Sequence, residues 1–361
     1  MPDADLAHQT QKGVSKLFPI IKELTELFGP VGREERVATY LYDAWRPHVR
    51  SVDITPVGNV VAHVGGKGPR LLITAHMDEI CLYVKSITEE GFAMATHCHR
   101  GQGSYHLMDA LSREFDVMSD DGSLVNAVLA GRTGHLRFRH SAQERTPDWK
   151  DVFLDFGASS KEELEDLGIG VGAPGVWKAQ TRQLGHRIVG KAMDDRIGLA
   201  LMTQLLCTLD KGLLQYDVFF AATVMEEFGL IGAASIPRHI PDLSLCVALE
   251  VGLAGDVPTV SLEEVPVRLG GGPMIATRDG MVHYTTKATE TLYRAARQAD
   301  ITVQPIIAGY GTDAHEFIRQ GVPSCLLAPP TRYTHTPIEM VDKKDVEDCL
   351  MILKTLVTST S

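Results

Sequence analysis

None of the six cysteines (Cys81, Cys98, Cys207, Cys246, Cys325 and Cys349) belongs to a CxxC pair. Most sit in apolar runs such as LSLCVALE and PSCLLA, so they read as reduced core thiols. No stretch reaches the roughly 18 uninterrupted apolar residues of a membrane helix. The first residues, MPDADLAHQTQKGVSK, contain no apolar segment of the secretory kind. Positive charge is in deficit, with 35 Lys and Arg against 46 Asp and Glu for a formal net charge of −11. That balance opposes binding to nucleic-acid phosphates or anionic lipid, both of which need clustered basic residues. Internal repeats and low-complexity tracts are also missing. The expectation is a cytoplasmic protein with no nucleic-acid or membrane partner.

What is present is the composition of an ordinary folded chain, 44% hydrophobic and 22% charged over 361 residues. Single cores rarely grow past about 250 to 300 residues, so two domains are expected. VSKLFPIIKELTELFG carries apolar residues at helical spacing and stops at Gly29 and Pro30. RLLITAH, YDVFFAATVM, LSLCVALEV and VPSCLLAP are short strand-like runs, alternating with helical patterns such as IGLALMTQLLCTL and TKATETLYRAARQAD. The fold class predicted is α/β: a mostly parallel central sheet flanked by helices. From about Cys81 to Trp177 the texture changes to short strand pieces rich in turn residues, predicting an inserted small all-β domain. The expected division is 1–80 and 178–361 for the core and 81–177 for the insert.

In open α/β sheets ligands gather at the carboxyl ends of the strands, and five such ends carry acidic or histidine residues. His76 follows RLLITA with Asp78 two residues on; it is either a structural histidine or a ligand whose second ring nitrogen Asp78 holds. Asp194 and Asp195 precede a helical run expected to be amphipathic, as an N-cap or as a carboxylate bridging two cations. Glu226 and Glu227 end a very apolar strand, where the alternation of a strand would send one carboxylate to metal and the other to a water. The bland alternative is a solvated pair. Glu250 ends another buried strand and needs a cation or a salt bridge, because burying an unpaired carboxylate costs several kcal/mol. His335 lies in the polar turn of PPTRYTHTP. Two imidazoles with several carboxylates are donors for Zn, Co or Mn rather than a thiolate site.

With AHMDE, DFGASSKEELEDLGIGVG, GKAMDDR, TVMEEFGLIGA, GTDAHEF and RYTHTP in this order, nearly the whole chain resembles the M42 metallopeptidases, glutamyl or leucyl aminopeptidase-like enzymes that often form tetrahedral particles. The resemblance implies a dinuclear aminopeptidase acting on short peptides, with two divalent metal ions per subunit, zinc first and cobalt or manganese next. It implies that Asp194 bridges the metals, that His76 and Glu250 complete one site, and that Glu227 and His335 complete the other. Glu226 becomes the base working with a metal-bridging hydroxide, Asp78 orients His76, and Thr312 and Asp313 lie near the substrate. Glu250 departs from the family, which commonly has Asp there. A homo-oligomer follows as well: a dimer at minimum, with a closed dodecamer as the fuller expectation.

Three further readings complete the set. A carboxypeptidase or deacylase on the same core would differ in tolerating a blocked N-terminus. A glycosidase using Glu226 and Glu250 would need no metal. In the insert, His97, His99 and His106 form another candidate metal set, with THCHR otherwise projecting two histidines on an exposed face.

Overall fold

The computed structural model describes residues 17–98, 105–132 and 148–359. These divide into two compact units. One comprises the described residues up to Asp78, Gln180–Thr334 and those from Ile338 on; the other comprises Glu79–Ala179 with His335–Pro337.

The first unit is built on an eight-stranded sheet of β1 (Ser51–Ile54), β2 (Val60–Gly65), β3 (Arg70–His76), β12 (Asp217–Thr223), β13 (Leu243–Leu249), β15 (Met274–Arg278), β16 (Gln304–Ile307) and β17 (Ser324–Ala328), in spatial order β1-β2-β12-β3-β13-β17-β15-β16. The four central strands β12, β3, β13 and β17 are mutually parallel. Parallel strands covered on both faces are continuous apolar runs, and from Leu71 to His76 every residue of β3 is buried. Because the four run the same way, their carboxyl ends share one edge. A second sheet of five strands contains β10 (Arg182–Leu184), β11 (Arg187–Gly190), β14 (Gly252–Leu253), β18 (Pro330–Arg332) and β19 (Glu339–Asp342).

Helices α1 (Leu17–Glu26), α2 (Glu35–Trp45), α5 (Met193–Thr208), α7 (Thr286–Gln298) and α9 (Lys343–Thr358) cover the large sheet. The sequence predicts α5 to be amphipathic, yet it is buried on every side from Met193 to Leu206. It packs against both β3 and α1, and a helix enclosed in this way has no polar face to keep.

In the second unit β4 (Leu82–Ile87), β5 (Phe92–His97), β6 (Glu114–Met118), β7 (Leu124–Gly131), β8 (Val152–Asp155) and β9 (Pro174–Trp177) close into a barrel. Its interior follows the period of two, with Leu82 and Val84, Ala93 and Ala95, Phe115 and Val117, Ala127 and Leu129, and Val152 and Leu154 all buried. Helical turns α3 (Tyr105–Ala110) and α4 (Lys161–Asp166) accompany the strands, so the unit is not purely β. His97 does not project from an exposed face: it is half-buried, its ring 5.5 Å from that of Trp149. His99 and the His106 side chain lie outside the described residues. All six cysteines are free and only Cys207 is exposed. Among the described residues no helix is long and apolar enough to cross a membrane.

Candidate metal centre and active site

His76 is the last residue of β3, and its Nδ1–H donates to the main-chain carbonyl of Asp78 at 3.1 Å. With that proton held, the neutral ring turns its Nε2 lone pair toward Asp194 Oδ1 at 3.0 Å and Glu250 Oε1 at 3.5 Å. His76, Asp194 and Glu227 each present a ligand atom within 4.8 Å of the others. A lone pair facing carboxylate oxygens is satisfied by a cation between them, and this nitrogen-and-oxygen donor set fits zinc, cobalt or manganese.

The electrostatics point the same way. Burial alone would lower the pKa of His76, but the charge of Glu250 and hydrogen bonds to Asp194 and Asp78 outweigh it and raise it well above its usual 6.5, so the surroundings draw positive charge to Nε2, a proton or, in its place, a cation. Burial, then the neighbouring charge of Asp194, pushes Glu250 well above the carboxylate range. Burial pushes Glu226 up too; the charge of His76 opposes this, while Glu227, Asp313 and Asp78 add to it. The cluster is an excess of negative charge gathered in a low-dielectric place, an arrangement that bound cations stabilise.

Asp194 and Asp195 have different partners: Asp194 faces His76 and its N–H donates to Glu339 Oε2 at 3.1 Å, whereas Asp195 Oδ1 accepts from Gly198 N–H at 3.1 Å within the first turns of α5. Glu226 and Glu227 are not at the end of a strand as expected. β12 stops at Thr223, and the pair sits in a turn with Met225 at φ 53°. Strand alternation therefore cannot assign them different roles. The Asp78 carboxylate also does something unforeseen. Its Oδ1 and Oδ2 accept the N–H groups of Glu226 and Glu227, each at 3.0 Å, while the ring of His76 is met by the Asp78 carbonyl.

Thr312 and Asp313 go to different partners. Thr312 Oγ1 donates to the fully buried Asp279, Oδ2, at 3.2 Å, and Asp313 accepts from Thr223 Oγ1. Burial pushes Asp313 up to about 6. His335 has φ 63° in the turn after β18 and belongs to the second unit.

Reasoning from the sequence missed Glu34, Asn59, Asp279 and Glu339. Glu339 carried a weak signal, because it stands between the apolar residues Ile338 and Met340. Glu34 carried none, being one of two adjacent glutamates in a charged loop.

Comparison with known proteins identifies the family. The model of the M42 glutamyl aminopeptidases matches residues 58–352. The lysyl aminopeptidase of Pyrococcus furiosus is 30% identical over 351 residues, covering 94% of this chain and 96% of its own. An aminopeptidase from the archaeon Desulfurococcus kamchatkensis superposes with a TM-score of 0.89 at 33% identity over 96% of each chain. The TET1 peptidase of Pyrococcus horikoshii, described as assembling into a tetrahedron or a large octahedral shell, gives 0.83 at 25% identity, covering 95% of this chain and 100% of that one. A family match over most of the length, on a fold that brings His76, Asp194, Glu227 and Glu250 together, makes this chain a member of the M42 glutamyl aminopeptidase family and an aminopeptidase, a peptide hydrolase.

Proposed function

We propose that the chain removes N-terminal residues from short peptides with two divalent cations and Glu226 as the proton-transfer group. The observation that carries this is the convergence of His76, Asp194, Glu227 and Glu250 on one edge of the sheet. In this reading Asp194 serves both cations, His76 and Glu250 complete one site, and Glu227 and His335 complete the other. When bound, the cations supply Lewis-acid polarisation of the scissile carbonyl and bring a water into a range where it loses its proton near neutral pH.

The chain's own groups do the rest. Glu226, its carboxyl raised by burial, takes that proton and hands it to the leaving amine nitrogen. Asp78 holds the backbone of Glu226 and Glu227 in place. The free α-amino group of the substrate completes the fit with cation or carboxylate, which is why an exopeptidase is favoured. Residues 81–177 supply pocket walls or contacts between subunits, and the protein is a homo-oligomer, a dimer at least, as the assembling relative suggests.

The test is a panel of aminoacyl chromogenic substrates, with N-terminally blocked counterparts, assayed on chelated protein refilled with zinc, cobalt or manganese. Turnover should need metal and a free amine. Equal turnover of blocked substrates would move the protein to a deacylase or carboxypeptidase reading.

A further inference from the structure

The turn bearing Glu226 and Glu227 is held by an unbroken run of side-chain acceptors. Val224 N–H donates to Asn59 Oδ1 at 3.0 Å and Met225 N–H to Glu34 Oε1 at 3.1 Å. Glu226 and Glu227 follow with their N–H groups on Asp78. Four consecutive peptide donors thus end on three buried side chains from three separate segments of the chain. Asn59 is itself fixed, its amide donating to Gly232 O and Ser235 Oγ at 2.9 Å each. Gly232 admits this packing, because a Cβ there would meet Asn59 Oδ1 at 2.4 Å and Val224 N at 2.5 Å.

Glu34 is the member whose presence needs explaining. It is 5% exposed at the start of α2, and its Oε1 also accepts from Gly32 N–H at 2.7 Å. Burying a carboxylate near a second one, Asp78, is unfavourable, and what offsets that here is the pair of N–H groups it accepts, those of Gly32 and Met225. Met225, meanwhile, is a non-glycine residue in the left-handed region, a conformation that persists only where the surroundings impose it. We infer that Glu34 is a positioning residue for catalysis: by fixing Met225 it sets the direction in which the Glu226 and Glu227 carboxylates leave the turn after β12. This rests on the reading of Glu226 as proton-transfer group and Glu227 as metal ligand.

The test compares E34Q, E34A and E34D in kcat, KM, zinc affinity by titration of the chelated protein, and melting temperature. The Gln side chain keeps an oxygen that accepts the same two N–H groups, so E34Q should retain kcat and zinc affinity to within about three-fold. Removal or retraction of the acceptor in E34A and E34D should lower kcat and zinc affinity by about 10- to 100-fold, the usual cost of losing a group that orients a site residue, with KM little changed. Should E34A fail to fold, E34D, which keeps the buried charge one methylene further back, carries the comparison. Wild-type kcat and zinc affinity in E34A or E34D overturn the inference. So does an E34Q as impaired as E34A, because the charge rather than the acceptor would then matter. Failure of the base reading is separable: Glu226→Gln would stay active, while the contrast in zinc affinity between E34Q and E34A would still decide the role of Glu34.

Discussion

At the scale of single residues the site separates groups that react from groups that hold them. Glu226→Gln should leave folding and metal content nearly intact and lower turnover by about two or more orders of magnitude, as the loss of a positioned proton-transfer group does. Metal analysis beside steady-state kinetics reads both, and more than half the activity surviving would remove Glu226 from that role. Glu34 gives a second prediction. Burial, with the charge of Asp78 adding to it, pushes its carboxyl from 4.5 up to about 7. A carboxyl raised in the folded state contributes stability that is fully present below its unfolded pKa and is lost as pH rises through the folded one. Wild-type protein should therefore lose stability between about pH 4.5 and about pH 7, and E34Q should lose measurably less in denaturant titrations across that window. His76, Asp194, Glu227 and Glu250 were legible in the sequence because each stands beside an apolar run that predicts burial, and a buried ionisable group needs a partner. Glu34 was not, since only the folded chain decides which of Glu34 and Glu35 turns inward.

At the scale of elements, strands and helices were easier to read than the reasons for their ends. The four apolar runs are the four parallel strands, but the turn after β12 was read as strand, because TVMEEF carries no residue that announces a left-handed Met225. Gly29 looked like a plain helix stop. In the structure α1 already ends at Glu26, and Gly29 leaves room for Arg196, whose Nη2 would lie 2.6 Å from an added Cβ. Arg196 is fully buried and donates from Nη1 to Leu24 O at 2.8 Å and from Nη2 to Gly29 O at 3.1 Å. A guanidinium at the carbonyl end of α1 satisfies acceptors that the helix leaves open and meets its negative end. It also ties α1 to α5, whose first turn holds Asp194. Replacing Arg196 by Met should cost roughly 2–4 kcal/mol in urea unfolding, because buried carbonyls lose charged donors. A loss under 0.5 kcal/mol, the range of a neutral surface change, would show that water replaces the side chain.

At the scale of the whole molecule, chelation should lower the melting temperature by several degrees and refilling should restore it, since a ligand that binds only the folded state stabilises it by mass action. An unchanged melting curve would argue against cations held by the buried carboxylates. Sedimentation at micromolar concentration should show a dimer or larger. The motive is a barrel with apolar side chains such as Val171, 74% exposed, and a relative described as forming shells; a single monomeric species would sink the assembly without touching the chemistry. The pairing of β3 with β12 has a consequence for how the molecule is made. Asp217, the first residue of β12, comes 141 residues after His76, the last of β3, and the buried stretch of β3 is mostly apolar, with Leu71, Leu72, Ile73 and Ala75. At roughly 5–20 residues per second of synthesis, β3 leaves the ribosome on the order of ten seconds before its neighbour exists. Most of the chain emitted in that interval is Glu79–Ala179, which has a closed barrel of its own to form. The barrel segment can fold on the nascent chain while RLLITA waits, so ribosome-bound chains ending between the two strands should present a protease-resistant barrel and a chaperone-binding β3.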